Sequence, residues 1–154
     1  MAIDGHKDLF LYALRLLGAR AYSESALRRK LARGANPEVV EAVLSQIKSL
    51  GYLDDRGYAE GYVRLHAGKW GVAKLRRMLL EKGVSRSIVD QVLTEWEAES
   101  DPVDEALALL SRYISRHRGE KQRALRFLTS RGFALKDAHV AWERYRGQQS
   151  GCPG

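Results

Sequence analysis

Apolar residues recur along most of the chain at spacings of three, four and seven, which is the period of an amphipathic helix. No segment alternates polar and apolar residues at period two, so the sequence predicts helices and no strands. Three apolar stripes of this kind stand about 50 residues apart. They are Leu9, Ala13, Leu16 and Leu17; Tyr58, Ala59, Tyr62 and Val63; and Val103, Ala106, Leu107, Leu110 and Ile114.

A second pattern marks an internal repeat. Gly34, Gly83 and Gly132 are 49 residues apart, and the segments before them align as "LRRKLARGA", "LRRMLLEKGV" and "ALRFLTSRGF". Each glycine is followed by another helical stripe. These closing stripes are Val40, Val43, Leu44 and Ile47; Val89, Val92, Leu93 and Trp96; and Ala138, Ala141, Trp142 and Tyr145. A period of this length is typical of helical repeat proteins, in which each unit packs on its neighbour.

Helix start and stop signals fit the same division. We expect Asp54 or Asp55, Asn36, Ser85 and Asp101 to cap helix starts, with Pro102 in a first turn. We expect the glycines at 34, 83 and 132 to end helices in the left-handed conformation. The predicted breaks lie near Gly18, Gly34, Gly51, Gly68, Gly83, Asp101, Gly119 and Gly132.

The predicted fold class is therefore all-α, with nine helices in three tandem three-helix, helix-turn-helix-like repeats that form an elongated, curved, solenoid-like body. The predicted boundaries are residues 1–53, 54–100 and 101–147 for the repeats and 148–154 for a disordered C-terminal tail. A unit of about 50 residues buries little more than half of its surface, so we expect each repeat to depend on its neighbours.

The composition and the length of the apolar runs indicate the class of protein and its compartment. Hydrophobic residues make up 45% and charged residues 29%, as in globular proteins, and the longest apolar run has only six residues. The first residues lack the order of a secretory signal, and the lone Cys152 cannot form a disulfide within the chain. We expect a cytoplasmic protein that does not enter the membrane.

The sequence contains few candidate catalytic or metal-binding residues. His6, His66, His117 and His139 are scattered, and none has a second histidine or a cysteine at metal-ligand spacing. The segment "AGKWGVAKL" lacks the spacing of a phosphate-binding loop. We expect no catalytic residues, no metal and no cofactor, and a protein that is not an enzyme.

Basic residues give the stronger signal. The formal net charge is +7, and lysines and arginines recur on the middle helix of each repeat. Equivalent helices of a repeat protein share one face, so these side chains predict a basic ridge for a polyanion or an acidic partner. The candidates are Arg28, Arg29, Lys30, Arg33, Lys74, Arg76, Arg77, Lys82, Arg116, Arg118, Lys121, Arg123 and Arg126.

The glycine turns also suggest a DNA-reading helix-turn-helix, which needs exposed donors near the start of its second helix. The closing helices instead offer Glu38 and Glu41, Arg86 and Gln91, or Lys136 and Asp137. Acidic residues would approach phosphates, and the three sets differ. Base reading is therefore the less favoured interpretation, and a transcriptional regulator remains the alternative function.

The segments "YSESALRRKLARG", "GYLDDRGYAEGYVR", "GKWGVAKLRRMLLEKGVSRSIVDQVL" and "FLTSRGFALKDAHVAWE" together resemble the bacterial regulatory protein RecX family. The resemblance extends from about Leu9 to Tyr145. It is most specific at "GYLDD" and at Lys82-Gly83, whereas Gly61 inside a helix and Met78 depart from the family pattern.

The resemblance implies a partner and an activity. RecX-like proteins bind the RecA recombinase and its DNA filament and suppress strand exchange, ATP hydrolysis and stimulated repressor cleavage, thereby modulating recombination and the SOS response. The resemblance carries over no catalytic residue. We expect weak, sequence-indifferent binding to single- or double-stranded DNA and a monomeric protein.

Overall fold

The computed structural model describes residues 5–150, with Ser150 described by its backbone alone. Helices account for all of the regular secondary structure in this part of the chain, as the sequence predicts. The helices are α1 (His6–Ala19), α2 (Glu24–Ala32), α3 (Pro37–Ser49), α4 (Asp55–His66), α5 (Val72–Glu81), α6 (Arg86–Glu99), α7 (Pro102–Arg112), α8 (Ile114–His117), α9 (Lys121–Ser130) and α10 (Leu135–Ser150).

The helices group into two compact units. One unit contains residues 5–62 and 79–89, and the other contains residues 63–78 and 90–150. The first unit holds α1, α2 and α3 around a core of buried leucines and valines that includes Leu9, Leu27 and Leu44. The second holds α7 to α10 around Leu110, Leu128 and their buried neighbours. Residues of α4, α5 and α6 belong partly to each unit, so the compact units do not coincide with the 49-residue period.

The predicted helix starts are confirmed where the described side chains cap them. Asn36 Oδ1 accepts a hydrogen bond from the Glu38 N–H at 2.8 Å. Asp101 Oδ1 accepts from the Val103 N–H at 3.0 Å, and Ser85 Oγ accepts from the Ile88 N–H at 3.3 Å. Of the two candidate aspartates, Asp54 caps α4 by accepting from the Arg56 N–H at 3.1 Å, whereas Asp55 is the first residue of the helix.

Two predicted helix ends are wrong. Gly83 and Gly132 have positive φ, as expected, but Gly34 does not. The helix before Gly34 ends through Arg33 in a right-handed conformation, because that repeat is one residue shorter before its glycine.

Helix α10 continues through Ser150, so residues 148–150 are helical where the sequence predicts a disordered tail. No proline interrupts them, and their amides continue the helical ladder. The rest of the predicted tail, with Cys152, lies outside the described residues.

The third repeat contains a short extra helix. Residues 5–150 form ten helices rather than nine, because α7 ends at Arg112 and the four-residue α8 follows. Ile114, predicted to extend the stripe of α7, lies beyond this break and is 53% exposed. The kink places the buried His117, instead of Ile114, against the core.

Within each compact unit, one glycine turn packs against the start of a middle helix. We call the pairs Lys82-Gly83 and Arg131-Gly132 the docking turns. In the first unit, the buried Ser23 hydroxyl donates to the Lys82 carbonyl at 2.5 Å. A Cβ at Gly83 would overlap the Ser25 side chain, so only glycine fits this approach.

The second docking turn repeats this arrangement. The Gly71 N–H donates to the Arg131 carbonyl at 2.7 Å, and the Ala73 N–H donates to the Gly132 carbonyl at 3.3 Å. A Cβ at Gly71 would overlap the Gly132 backbone. In both units, therefore, the carbonyl before a left-handed glycine accepts a hydrogen bond at the start of the preceding repeat's middle helix.

Candidate polyanion-binding surface

Two of the candidate arginines are held by acidic residues. Arg28 on α2 and Arg76 on α5 occupy equivalent positions in the repeat. Arg28 donates from Nε to Glu41 Oε1 at 2.7 Å and from Nη2 to Glu41 Oε2 at 3.3 Å. Arg76 Nη1 likewise donates to Asp90 Oδ1. Glu41 and Asp90 are also equivalent, so the same ion pair joins a middle helix to its closing helix twice.

The forked pair in the first unit affects both titrating groups. Its hydrogen bond raises the pKa of Arg28 above the usual arginine value, and burial opposes this effect. The same hydrogen bond lowers the pKa of the Glu41 carboxyl. Both side chains are substantially exposed, so the pair orients Arg28 more than it stabilises the fold. Arg28 and Arg76 are therefore less available to an outside anion than the sequence suggests.

The position one residue later carries an available cation in every repeat. Arg29, Arg77 and Arg126 are equivalent, and all three are exposed. Within residues 5–150, none of them forms an ion pair with an acidic side chain. We call these three residues the ridge arginines. Long cationic side chains with no acidic partner are available to bind an anionic surface.

The remaining candidates differ in their surroundings. Lys74 lies over the Trp70 ring with Nζ 4.5 Å from the centroid, so a cation–π contact orients it. Arg123 Nε lies 3.0 Å from Glu120 Oε2. Lys30 and Lys82 are half-buried. The other candidates are exposed; they are Arg33, Arg116, Arg118 and Lys121.

The third repeat lacks the recurring ion pair. Leu125 and His139 stand at the positions equivalent to Arg28 and Glu41, and both line a shallow cavity of about 360 Å³ between α9 and α10. A second shallow cavity, of about 450 Å³, is lined by Arg116, Arg123, Arg126, Phe127 and Ser130. The structure thus brings three candidate arginines of this repeat together around one depression.

Two further arginines join this group: Arg131 belongs to the basic residues that recur along the middle helix of the third repeat, whereas no sequence pattern indicates Arg112. The Arg131 guanidinium lies 5.1 Å from the Phe127 ring centroid and 5.7 Å from that of Tyr113. The Arg112 guanidinium lies 5.6 Å from the Tyr113 centroid. The signal for Arg112 in the sequence is weak, because only the packing of Tyr113 on Phe127 brings this arginine of α7 beside Arg131 at the end of α9.

A cavity of about 480 Å³ elsewhere in the second unit is unsuited to a polyanion. It lies between the starts of α5, α7 and α10 and is lined by charges of both signs. The basic members are Arg76 and Lys136, and the acidic members are Glu97, Glu105 and Asp137. Burial raises the pKa of Glu105, and the nearby Asp101 raises it further.

Neither a metal cluster nor a membrane span is found between residues 5 and 150. No three side chains of histidine, cysteine, aspartate or glutamate in that range are grouped to hold a metal ion. None of the helices in that range is both long and apolar enough to cross a membrane.

Comparisons with known proteins agree on one family. Residues 10–46 match the model of the RecX first three-helix domain, and residues 54–93 match that of the RecX second three-helix domain. Regulatory protein RecX of a Thermus thermophilus strain is 47% identical over 135 residues, which cover 88% of this chain and 90% of that protein. Regulatory protein RecX of Deinococcus radiodurans is 35% identical over 149 residues, covering 93% and 69%.

Solved structures show the same fold. The crystal structure of RecX from Lactobacillus salivarius superposes with a TM-score of 0.78, at 17% identity, over 92% of this chain and 96% of that one. A crystal structure of regulatory protein RecX gives the same TM-score at 24% identity, over 90% and 73%. The tandem three-helix architecture is thus shared with both.

Proposed function

Because this chain belongs to the RecX family of regulatory proteins, we propose that it binds the RecA recombinase on its DNA filament and inhibits the filament's activities. These activities are strand exchange, ATP hydrolysis and stimulated repressor cleavage. The protein acts in the cytoplasm, as a monomer, and by occupying the filament. In this way it modulates recombination and the SOS response.

The recurrence of the ridge arginines is the observation that carries this proposal beyond the family name. Arg29, Arg77 and Arg126 repeat at the same position of three middle helices, exposed in each. A filament presents equivalent surfaces at regular intervals, so a repeated cation suits it better than a single pocket does. Charge complementarity of this kind sets partner choice and association rate.

The closing helices support a filament partner over a transcriptional regulator. A base-reading helix needs donors that reach the edges of base pairs. Glu41 on α3 and Asp90 on α6 instead present carboxylates, each engaged by an arginine of the middle helix. Direct reading of a DNA sequence by these helices is therefore disfavoured.

The test is inhibition of the DNA-dependent ATPase of the recombinase. Arg77→Glu should raise the half-inhibitory concentration roughly tenfold, equivalent to about 1.4 kcal/mol, because charge reversal adds repulsion to the lost attraction. Arg86→Glu is the matched control, since Arg86 is exposed on α6 in the same repeat and lies outside the candidate set.

Circular dichroism melting should show both variants folded, since exposed substitutions usually change stability by about 0.5 kcal/mol or less. Equal inhibition by the two variants would exclude Arg77 from the inhibitory surface. If the native protein does not lower the ATPase activity of the recombinase, the proposed function itself is wrong.

A further inference from the structure

Most of the net charge of the protein lies in one segment of the third repeat. Residues 112–131 contain seven basic residues and one acidic residue, for a net charge of +6, whereas the whole chain carries +7. We call this segment the 112–131 cluster. Such a concentration of one sign creates a strong local potential even on a moderately charged protein.

Aromatic side chains hold part of this charge in place. The Tyr113 and Phe127 rings pack at 5.8 Å between centroids, and the guanidinium groups of Arg112 and Arg131 lie over them at 5.1–5.7 Å. A guanidinium held on a ring loses less conformational entropy when it binds an anion. These two arginines are therefore pre-organised for binding.

His117 orients two further arginines. Its ring is fully buried, with Nε2 lying 2.8 Å from the Leu110 carbonyl, while Nδ1 accepts a hydrogen bond from the Gly119 N–H at 3.0 Å. Because Nδ1 is an acceptor, Nε2 carries the hydrogen and donates it. This anchor fixes α8, so Arg116 and Arg118, on either side of His117, are held at the surface.

The depression beside α9 offers only cationic donors to an outside group. The Ser130 hydroxyl donates to the Phe127 carbonyl at 2.7 Å, and the neighbouring Thr129 hydroxyl donates to the Arg126 carbonyl at 3.2 Å. These hydroxyls are thus used within the helix. What remains are the guanidinium groups of Arg116, Arg123 and Arg126 around a space of about 450 Å³.

We propose that the 112–131 cluster binds consecutive phosphates of a DNA backbone. The inference rests on the proposed function and identifies the nucleic-acid contact within it. Guanidinium groups bind phosphate oxygens through two parallel hydrogen bonds, and DNA presents phosphates at a far higher density than carboxylates occur on a folded protein. Because contacts to phosphates carry no sequence information, binding of this kind is indifferent to sequence.

The proposal is tested by fluorescence anisotropy with a labelled oligothymidylate and a mixed-sequence duplex, over a range of salt concentrations. Arg112→Gln with Arg116→Gln removes two cations of the cluster. Lys7→Gln with Arg15→Gln is the control, because it removes the same charge from exposed positions of α1. The cluster variant should make the slope of log affinity against log salt less steep by about 1.4 on the single strand, since each lost phosphate contact removes about 0.7.

The outcomes separate the site from the proposed function. Equal slopes for the two variants, or binding of polyglutamate in preference to both oligonucleotides, would overturn the phosphate site. The ATPase assay of the native protein decides the proposed function independently. A cluster variant that loses the slope but still inhibits the recombinase would leave the site standing and place the inhibitory contact elsewhere.

Discussion

At the scale of single residues, Glu105 is an acidic residue whose surroundings disfavour the charged form of its carboxyl. It is half-buried on α7 and lines the cavity of mixed charge. Burial raises the pKa of its carboxyl, and the charge of Asp101 raises it further. The folded state thus binds this proton more tightly than the unfolded state does. The stability that Glu105 contributes is fully present below the ordinary carboxyl pKa and is lost as the pH rises through the raised value.

Glu105→Gln should therefore raise the melting temperature at pH 7, because the amide removes an unfavourable buried charge. The gain should disappear below about pH 4, where the native carboxyl is protonated in both states. Melting curves of native protein and variant at the two pH values measure it. Glu97→Gln is the control, since Glu97 is exposed on the same cavity. A gain that is the same at both pH values would contradict this account.

At the scale of elements, each docking turn accepts a hydrogen bond through the backbone carbonyl that precedes its glycine. At the second turn, Gly71 donates to the Arg131 carbonyl from the start of α5. Any larger residue at Gly71 would push its Cβ into the Gly132 backbone, which cannot rotate away as a side chain can. The hydrogen bond between Gly71 and Arg131 therefore requires that residue 71 has no Cβ and that the turn keeps its position.

Gly71→Ala should destabilise the protein by on the order of 1–3 kcal/mol, through overpacking against the backbone. Gly18→Ala should stabilise it by up to about 1 kcal/mol, because Gly18 lies within α1 and a Cβ there has nothing within 4 Å. Urea unfolding followed by circular dichroism measures both changes. Equal stability of the Gly71 variant and the native protein would show that the second docking turn can move away.

At the scale of the whole molecule, salt should separate folding from binding. The folded state rests on buried apolar residues, and its ion pairs are exposed and weak. Raising NaCl from about 50 to about 200 mM should therefore change the melting temperature little. The affinity for DNA should fall steeply, because the release of DNA counterions that accompanies binding is less favourable at high salt. Parallel melting and anisotropy titrations compare the two. A parallel loss of both would mean that the surface charges also hold the fold together.

The sequence predicts those features of this molecule that depend on local chemistry. The caps at Asn36 and Asp101 follow from residue type, and the 49-residue period reveals the tandem helices. The break after Arg112 is not foreseen, because it depends on a buried histidine bonding to a carbonyl seven residues earlier. The pairing of Arg28 with Glu41 is likewise missed, since only helix packing brings the two together. The sequence locates the cations but does not show which of them are already paired.

The docking turns also affect which gene rearrangements such a chain can tolerate. In both compact units the acceptor is the carbonyl before a left-handed glycine, while the donor is a hydroxyl at Ser23 in one and an amide at Gly71 in the other. An unequal crossover that deletes one 49-residue period would still join an acceptor of this type to a donor of this type. We expect gene rearrangements in multiples of that period to leave a foldable chain.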